Sequence, residues 1–175
     1  MNSLLPELLA AHRTARTPDL HAALVACGMR QTGGPVWGVD FVTVDGEHYA
    51  PDRDGKPAII VPFVEDGGVI DLTATGLQTR AFRTRCGLGT ILGQRWVDHA
   101  RETETALRLF SDPIEWLCHG QHGAVVIDWR GARLALADVP AIACSSPLLA
   151  KRVDKAMHQP VQMLFIREDA AHAAA

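Results

Sequence analysis

Leu4, Leu5, Leu8 and Leu9 recur at helical spacing, so residues 3 to about 14 read as an amphipathic helix. Thr17 then stands as an N-cap, with Pro18 as the first helical residue and Asp19 in the first turn. Leu20, Ala23, Leu24 and Cys27 supply the stripe to bury, and Gly28 supplies the stop. The chain therefore opens with a pair of short helices, over residues 1–30.

The period changes after Gly33-Gly34-Pro35. Residues 31–87 are rich in Val, Ile, Thr and Phe and are punctuated by Asp45-Gly46, Asp54-Gly55 and Asp66-Gly67-Gly68. Val36–Val44, Pro57–Val64, Val69–Ala74 and Thr79–Arg85 read as strands of an antiparallel meander, with a tight hairpin at Glu65–Gly68. Pro62 lies inside one of them. Lacking an N–H, it calls for a sheet edge or a bulge at that point.

From residue 88 the pattern mixes both periods. A helix is expected over residues 90–105, weakened by Gly93, and then short apolar runs alternate with capped helices. Ala106–Phe110, Ala124–Ile127 and Ala141–Ala143 read as strands, with a further strand at Leu134–Ala137. Ser111-Asp112-Pro113 and Ser145-Ser146-Pro147 each look like a cap followed by a helix-starting proline, the second helix reaching about Met157. Val161–Ile166 reads as a closing strand of this α/β region, residues 88–167, and residues 168–175 as a frayed tail. The whole is an α+β or α/β chain with a mixed sheet in its second half, joined near Gly87 and forming one compact unit.

Composition narrows the function classes. With 17 Lys+Arg against 20 Asp+Glu and 47% hydrophobic residues, the chain is globular and no general polyanion binder. Its acids gather in the hairpin turns, whereas Arg80, Arg83, Arg85, Arg95 and Arg101 fall in one stretch. That stretch is the expected contact for phosphate or nucleic acid, with Phe82 or Trp96 available to stack on a base. The adjoining Arg85-Cys86-Gly87-Leu88-Gly89-Thr90 is glycine-rich enough to offer backbone N–H groups to a phosphate. It has neither a dinucleotide fingerprint nor a P-loop. The cysteines Cys27, Cys86, Cys118 and Cys144 are widely spaced. With no export signal and no run long enough for a membrane span, a reduced, cytoplasmic and soluble protein is expected.

Three further sites compete with plain structural roles. Ser111-Asp112, Asp128 and Cys144-Ser145-Ser146 each follow an expected strand, where an open α/β sheet holds its ligands, and Asp112 with Asp128 could seat Mg²⁺. Helix caps at Ser111 or Asp112 and at Ser145 or Ser146, with a turn starting at Asp128, also explain these residues. Cys118, His119 and His122 carry zinc-ligand side chains, one short of a structural set. Cys144 at a helix N-terminus would be an activated thiol if exposed, with His158 as its base; a small core residue is the plainer reading.

Residues 104–166 resemble the Toprim-type segment of primases and topoisomerases. Leu107–Phe110 and the following Ser111-Asp112-Pro113-Ile114-Glu115-Trp116-Leu117 take the place of its first strand and helix, and Ala124–Asp128 that of the next strand. Ser111 stands where the family has its glutamate, and the Asp-x-Asp pair is missing. The resemblance therefore implies a degenerate, primase-associated fold of a phage or mobile element, whose metal chemistry is lost. These observations lean to a non-enzymatic accessory or binding protein that meets a protein partner or nucleic acid through an Arg-rich surface. The alternative is a divalent-metal-dependent enzyme acting on a phosphate-containing or nucleic-acid substrate. A homo-oligomer built on an edge of the β-rich half is also open.

Overall fold

The computed structural model describes residues 4–17, 22, 24, 25, 28, 29 and 37–158. Most of the expected helix over residues 17–28, the strand Val161–Ile166 and the tail 168–175 lie outside the described residues. Within them the architecture is mixed α/β, with five helices and nine strands. No helix among them is long and apolar enough to cross a membrane.

The first helix, α1, spans Leu5–Ala15 and carries Pro6 in its first turn, where a missing N–H costs nothing. It buries Leu8, Ala11 and Ala15. Five strands follow: β1 (Gly38–Asp45), β2 (His48–Pro51), β3 (Lys56–Glu65), β4 (Gly68–Gly76) and β5 (Phe82–Thr84). They close into a barrel of order β1-β2-β5-β4-β3. The expected meander survives as β3-β4-β5, but the arrangement as a whole is different. A four-residue strand, β2, pairs with β1 and meets β5 in parallel through the single register pair His48↔Thr84. His-Tyr-Ala-Pro between two Asp-Gly turns carries no alternation from which a strand could be read.

The β3–β4 turn uses Asp66 and Gly67, both at positive φ (49° and 77°), the mirror-image turn that suits strand twist. Pro62 satisfies both of the conditions set for it. Pairing of β1 with β3 ends at Gly38↔Ile60, before Pro62, and the β3–β4 register shifts between Phe63 and Val64. β3 is buried on both faces. Ala58 and Ile60 pack with Leu72, Ala74, Tyr49 and Leu8, while Ile59, Val61 and Phe63 join Leu92, Val125, Ile114, Trp116 and Leu117 from the second half. One apolar core thus crosses the join between the two halves.

The second half contains β6 (Ile91–Leu92), α2 (Gln94–Glu102), β7 (Ala106–Leu109), α3 (Pro113–Cys118), β8 (Val125–Val126), α4 (Ala132–Ala135), β9 (Ala141–Cys144) and α5 (Pro147–Met157). Residues 90–105 do not form one helix: β6 comes first, and Gly93 turns the chain at φ 80° into α2. Leu134–Ala137 is not a strand either. Four residues after Gly131 coil into α4, leaving Leu134 exposed and Leu136 buried. β9 runs parallel to β7, β7 touches Ala124 in parallel at Leu109, and β8 pairs antiparallel with β6. The carboxyl ends of β7, β8 and β9 consequently open on one rim.

Tyr49, the only tyrosine of the chain, ties α1 to the barrel. Its hydroxyl donates to Glu7 Oε1 at 3.0 Å, and Arg85 Nε donates to Glu7 Oε2 at 3.2 Å. Burial first, and then the Glu7 carboxylate, pushes the phenol far above its ordinary value of 10.0. The folded protein therefore keeps this proton where the unfolded chain releases it. Stability is unaffected below about pH 10 and falls above it, by up to about 1.4 kcal/mol per pH unit from this group. In an alkaline titration, tyrosinate absorbance is expected to rise only together with loss of folded circular dichroism. A phenolate signal in the intact fold would contradict this.

Candidate functional site

Two strand ends, those of β7 and β9, bring their polar residues together. The Ser111 hydroxyl lies 3.2 Å from Ser145 Oγ and 3.3 Å from Ser146 Oγ. Ser145 donates to Glu115 Oε2 at 3.0 Å, and the Ser111 N–H donates to the same oxygen at 2.8 Å. Capping is nonetheless real: Asp112 Oδ1 accepts from the N–H groups of Ile114 and Glu115, both at 2.9 Å, and Ser146 Oγ accepts from Leu149 N–H. The rim is thus both a set of caps and one polar ledge.

Above the ledge lies a cleft of about 660 Å³ between the barrel and the second half. Its volume falls in the range of roughly 300–1,000 Å³ usual for small-ligand sites. Arg80 and Arg83 enter from the barrel side, Arg130 and Arg152 from the other, with Ser111 and Asp128 on the floor. The four cations are not equally spent. Arg80 donates to Asp112 Oδ1 at 3.0 Å, and Arg130 pairs with Asp128 at 3.0 Å and with Glu47 at 3.4 Å. The hydrogen bond from Arg130 holds the Asp128 carboxyl below its ordinary range. The Glu47 pair is about three-quarters exposed on both sides, so it contributes little to stability.

Arg83 and Arg152 face no carboxylate within ion-pair distance among the described residues. Arg83 donates to the carbonyls of Gly46 and Phe82 at 3.1 and 2.8 Å. Arg152 lies over the Trp129 ring at 4.3 Å, and partial burial pulls its pKa down. A cation stacked on an indole, with no carboxylate in ion-pair reach among the described residues, is a ready acceptor of an anion.

The glycine-rich loop does not serve as a phosphate cradle. Asp71, fully buried, takes its N–H groups: Oδ1 accepts from Leu72 and Cys86 at 2.7 and 2.9 Å, and Oδ2 from Leu88 and Gly89 at 2.7 and 3.0 Å. A protein carboxylate thus fills the place an anionic ligand would take. The loop instead forms a wall, giving Gly87 and Gly89 to the cleft and Leu88 and Gly89 to an apolar groove of about 510 Å³ on its other side.

The remaining sequence candidates scatter. Arg85 belongs to Glu7, and Arg95 lies over Trp96 at 5.5 Å beside the apolar groove. Arg101 donates to the carbonyls of Ala135 and Ala137. Cys118, His119 and His122 do not gather into a metal site. His119 packs on Phe110 at 4.9 Å and His122 on Trp96 at 5.0 Å, so the two rings are held by different aromatic partners. No group of three potential ligands is found among the described residues. Asp112 and Asp128 are likewise committed, to a cap with Arg80 and to Arg130. Cys144 is no activated thiol, because burial pushes it up. His158 sits at the far end of the 11-residue α5, about 16 Å along its axis, hydrogen-bonded to Asp154.

Sequence reasoning missed Trp129, Arg130 and Arg152. Asp128-Trp129-Arg130 directly after a strand was the available signal for the first two, since strand ends carry ligands in such sheets. Arg152 lies on the second turn of a helix, where only the placement of α5 reveals its role. Neither the family models, nor the curated proteins, nor the solved structures compared with this chain include a match. The comparisons thus lend no support to the Toprim resemblance of residues 104–166.

Proposed function

We propose that this chain is a binding protein that takes a phosphate-bearing ligand, a nucleotide or nucleic-acid strand, in the cleft between its barrel and its second half. The observation that carries this reading is the pair Arg83 and Arg152, two cations lining one concave site from its two sides, neither with a carboxylate in ion-pair distance among the described residues. Arginine suits this task because its planar fork can hold two phosphate oxygens at once. Trp129 and Phe82 add apolar surface beside the charges, and Ser111 adds a hydroxyl. The reading is non-enzymatic because Asp112 and Asp128 at the rim are engaged, the first by a helix cap and Arg80 and the second by Arg130.

Calorimetric titration with adenosine diphosphate and with pyrophosphate, at low salt, tests it. Binding is expected for the native protein and is expected to weaken about a hundredfold in Arg152→Glu, which removes one charge-assisted contact and adds repulsion. Arg95→Glu, on the other side of the loop, serves as the matched charge reversal and is expected to bind normally. If neither anion binds at low salt, or both reversals weaken binding equally, the cleft is not the site.

A further inference from the structure

Resting on that reading, the face of α5 that carries Arg152 says more about the ligand. Seen down the helix axis, Leu148, Lys151, Arg152 and Lys155 fall within an arc of about 100°. All four are exposed, whereas Leu149 and Val153 on the opposite arc are buried against the second core cluster. Two of the three lysines in the whole chain stand on this one face. Neither has a carboxylate within ion-pair distance among the described residues. The acid of the same helix, Asp154, lies off this arc and is held by His158 at 3.2 Å. Arg152 is the residue at which this face meets the cleft.

We infer that the ligand is a single-stranded nucleic acid, one nucleotide of which occupies the cleft while the strand continues along the Lys151–Lys155 face of α5. Lys151 and Lys155 stand about one helical turn apart, roughly 5.4 Å, a pitch on the scale of neighbouring phosphates along a strand. Leu148, with 79% of its surface exposed, gives a base or sugar an apolar place beside them. Arg152 has one guanidinium face on Trp129, and an aromatic base stacks on the other as readily as on a ring. An acidic peptide could use the charges but offers a ring only where an aromatic side chain falls in register, whereas every nucleotide carries one. A duplex keeps its bases stacked inward and places one in the cleft only by breaking a pair and unstacking the base, a cost a single strand does not meet.

The test compares ligands of different length by fluorescence anisotropy and by quenching of tryptophan emission. Adenosine monophosphate probes the cleft, and a labelled oligodeoxyadenylate of about ten nucleotides probes the cleft and the helix face together. The oligonucleotide is expected to bind at least tenfold more tightly than the monophosphate. In the double variant Lys151→Ala/Lys155→Ala that advantage is expected to vanish. Its plot of log affinity against log salt should be less steep by about 1.4, since each single-strand phosphate contact contributes about 0.7. Lys56→Ala, on β3, controls for general loss of charge.

Equal affinity for monomer and oligomer would overturn the strand along α5 while leaving the cleft reading intact. Binding of neither at low salt would overturn both. An oligoglutamate of equal charge that binds as tightly as the oligonucleotide, or a duplex that does, would overturn the choice of single-stranded nucleic acid. Retained tight binding in the double variant would place the contact elsewhere.

Discussion

Replacing Asp71 by Asn is expected to lower the folding stability by about 3–5 kcal/mol, the cost of breaking a buried, fully hydrogen-bonded charge site. The carboxylate is completely buried and accepts four backbone N–H groups, two on each oxygen. Asn keeps the shape but has only one acceptor oxygen. Its NH₂ must face either the Leu72 and Cys86 pair of donors or the Leu88 and Gly89 pair, so two amides lose their partner and meet a donor instead. Urea denaturation of the two proteins gives the difference directly. A change below about 1 kcal/mol would mean that water reaches the loop and that Asp71 is not its organiser. Binding in the cleft should weaken too, because Gly87 and Gly89 form part of its wall.

Gly93→Ala is expected to be nearly as damaging, by about 2–5 kcal/mol. Gly93 has φ 80°, where an L-residue pays about 1–2 kcal/mol. A methyl group there would come within 2.3 Å of the Gly123 carbonyl oxygen and 3.3 Å of Ala124 Cα. Both neighbours are backbone, so relief requires β8 to move against β6, adding about 1–3 kcal/mol of overpacking. Gly46→Ala separates the two causes. Gly46 has φ 60° with nothing within 4 Å of the added carbon, so only the conformational part, about 1–2 kcal/mol, should appear. Melting temperatures of the two variants measure the gap. If they fall by the same amount, the crossing of Gly93 over Gly123 is looser than these contacts require.

These two sites also show where sequence reading runs out. Asp71 sits in an apolar strand, opposite Phe63 in the β3–β4 register, and pattern alone marks it only as an interruption. Its four donors come from residues 1 to 18 positions away, a set that exists only after folding. Short-range signals read well: the Asp66-Gly67 turn, the caps at Asp112 and Ser146, and the bulge near Pro62 each depend on neighbours within four residues. Rim residues were legible for the same reason, since they follow strands directly. Arg83 and Arg80 were visible as part of a charge run, but Arg85, Arg95 and Arg101 belong to that run in sequence and not in space. Charge spacing along an irregular strand and loop carries no fixed period, so it cannot say which guanidinium groups share a wall. Helix Ala132–Ala135 was misread because four apolar-leaning residues fit either period.

Barrel closure rests on one parallel pair, His48↔Thr84, supported by Arg83 reaching Gly46. Every other joint in the barrel has three or more register pairs. Both residues of that pair also line the cleft. The barrel is therefore weakest where the site is, and breathing should begin there, with the amides of β2 and β5 exchanging before those of β3 and β4. A ligand in the cleft that touches His48 as well as Arg83 would act as a clasp across the opening seam, so that occupancy and closure rise and fall together.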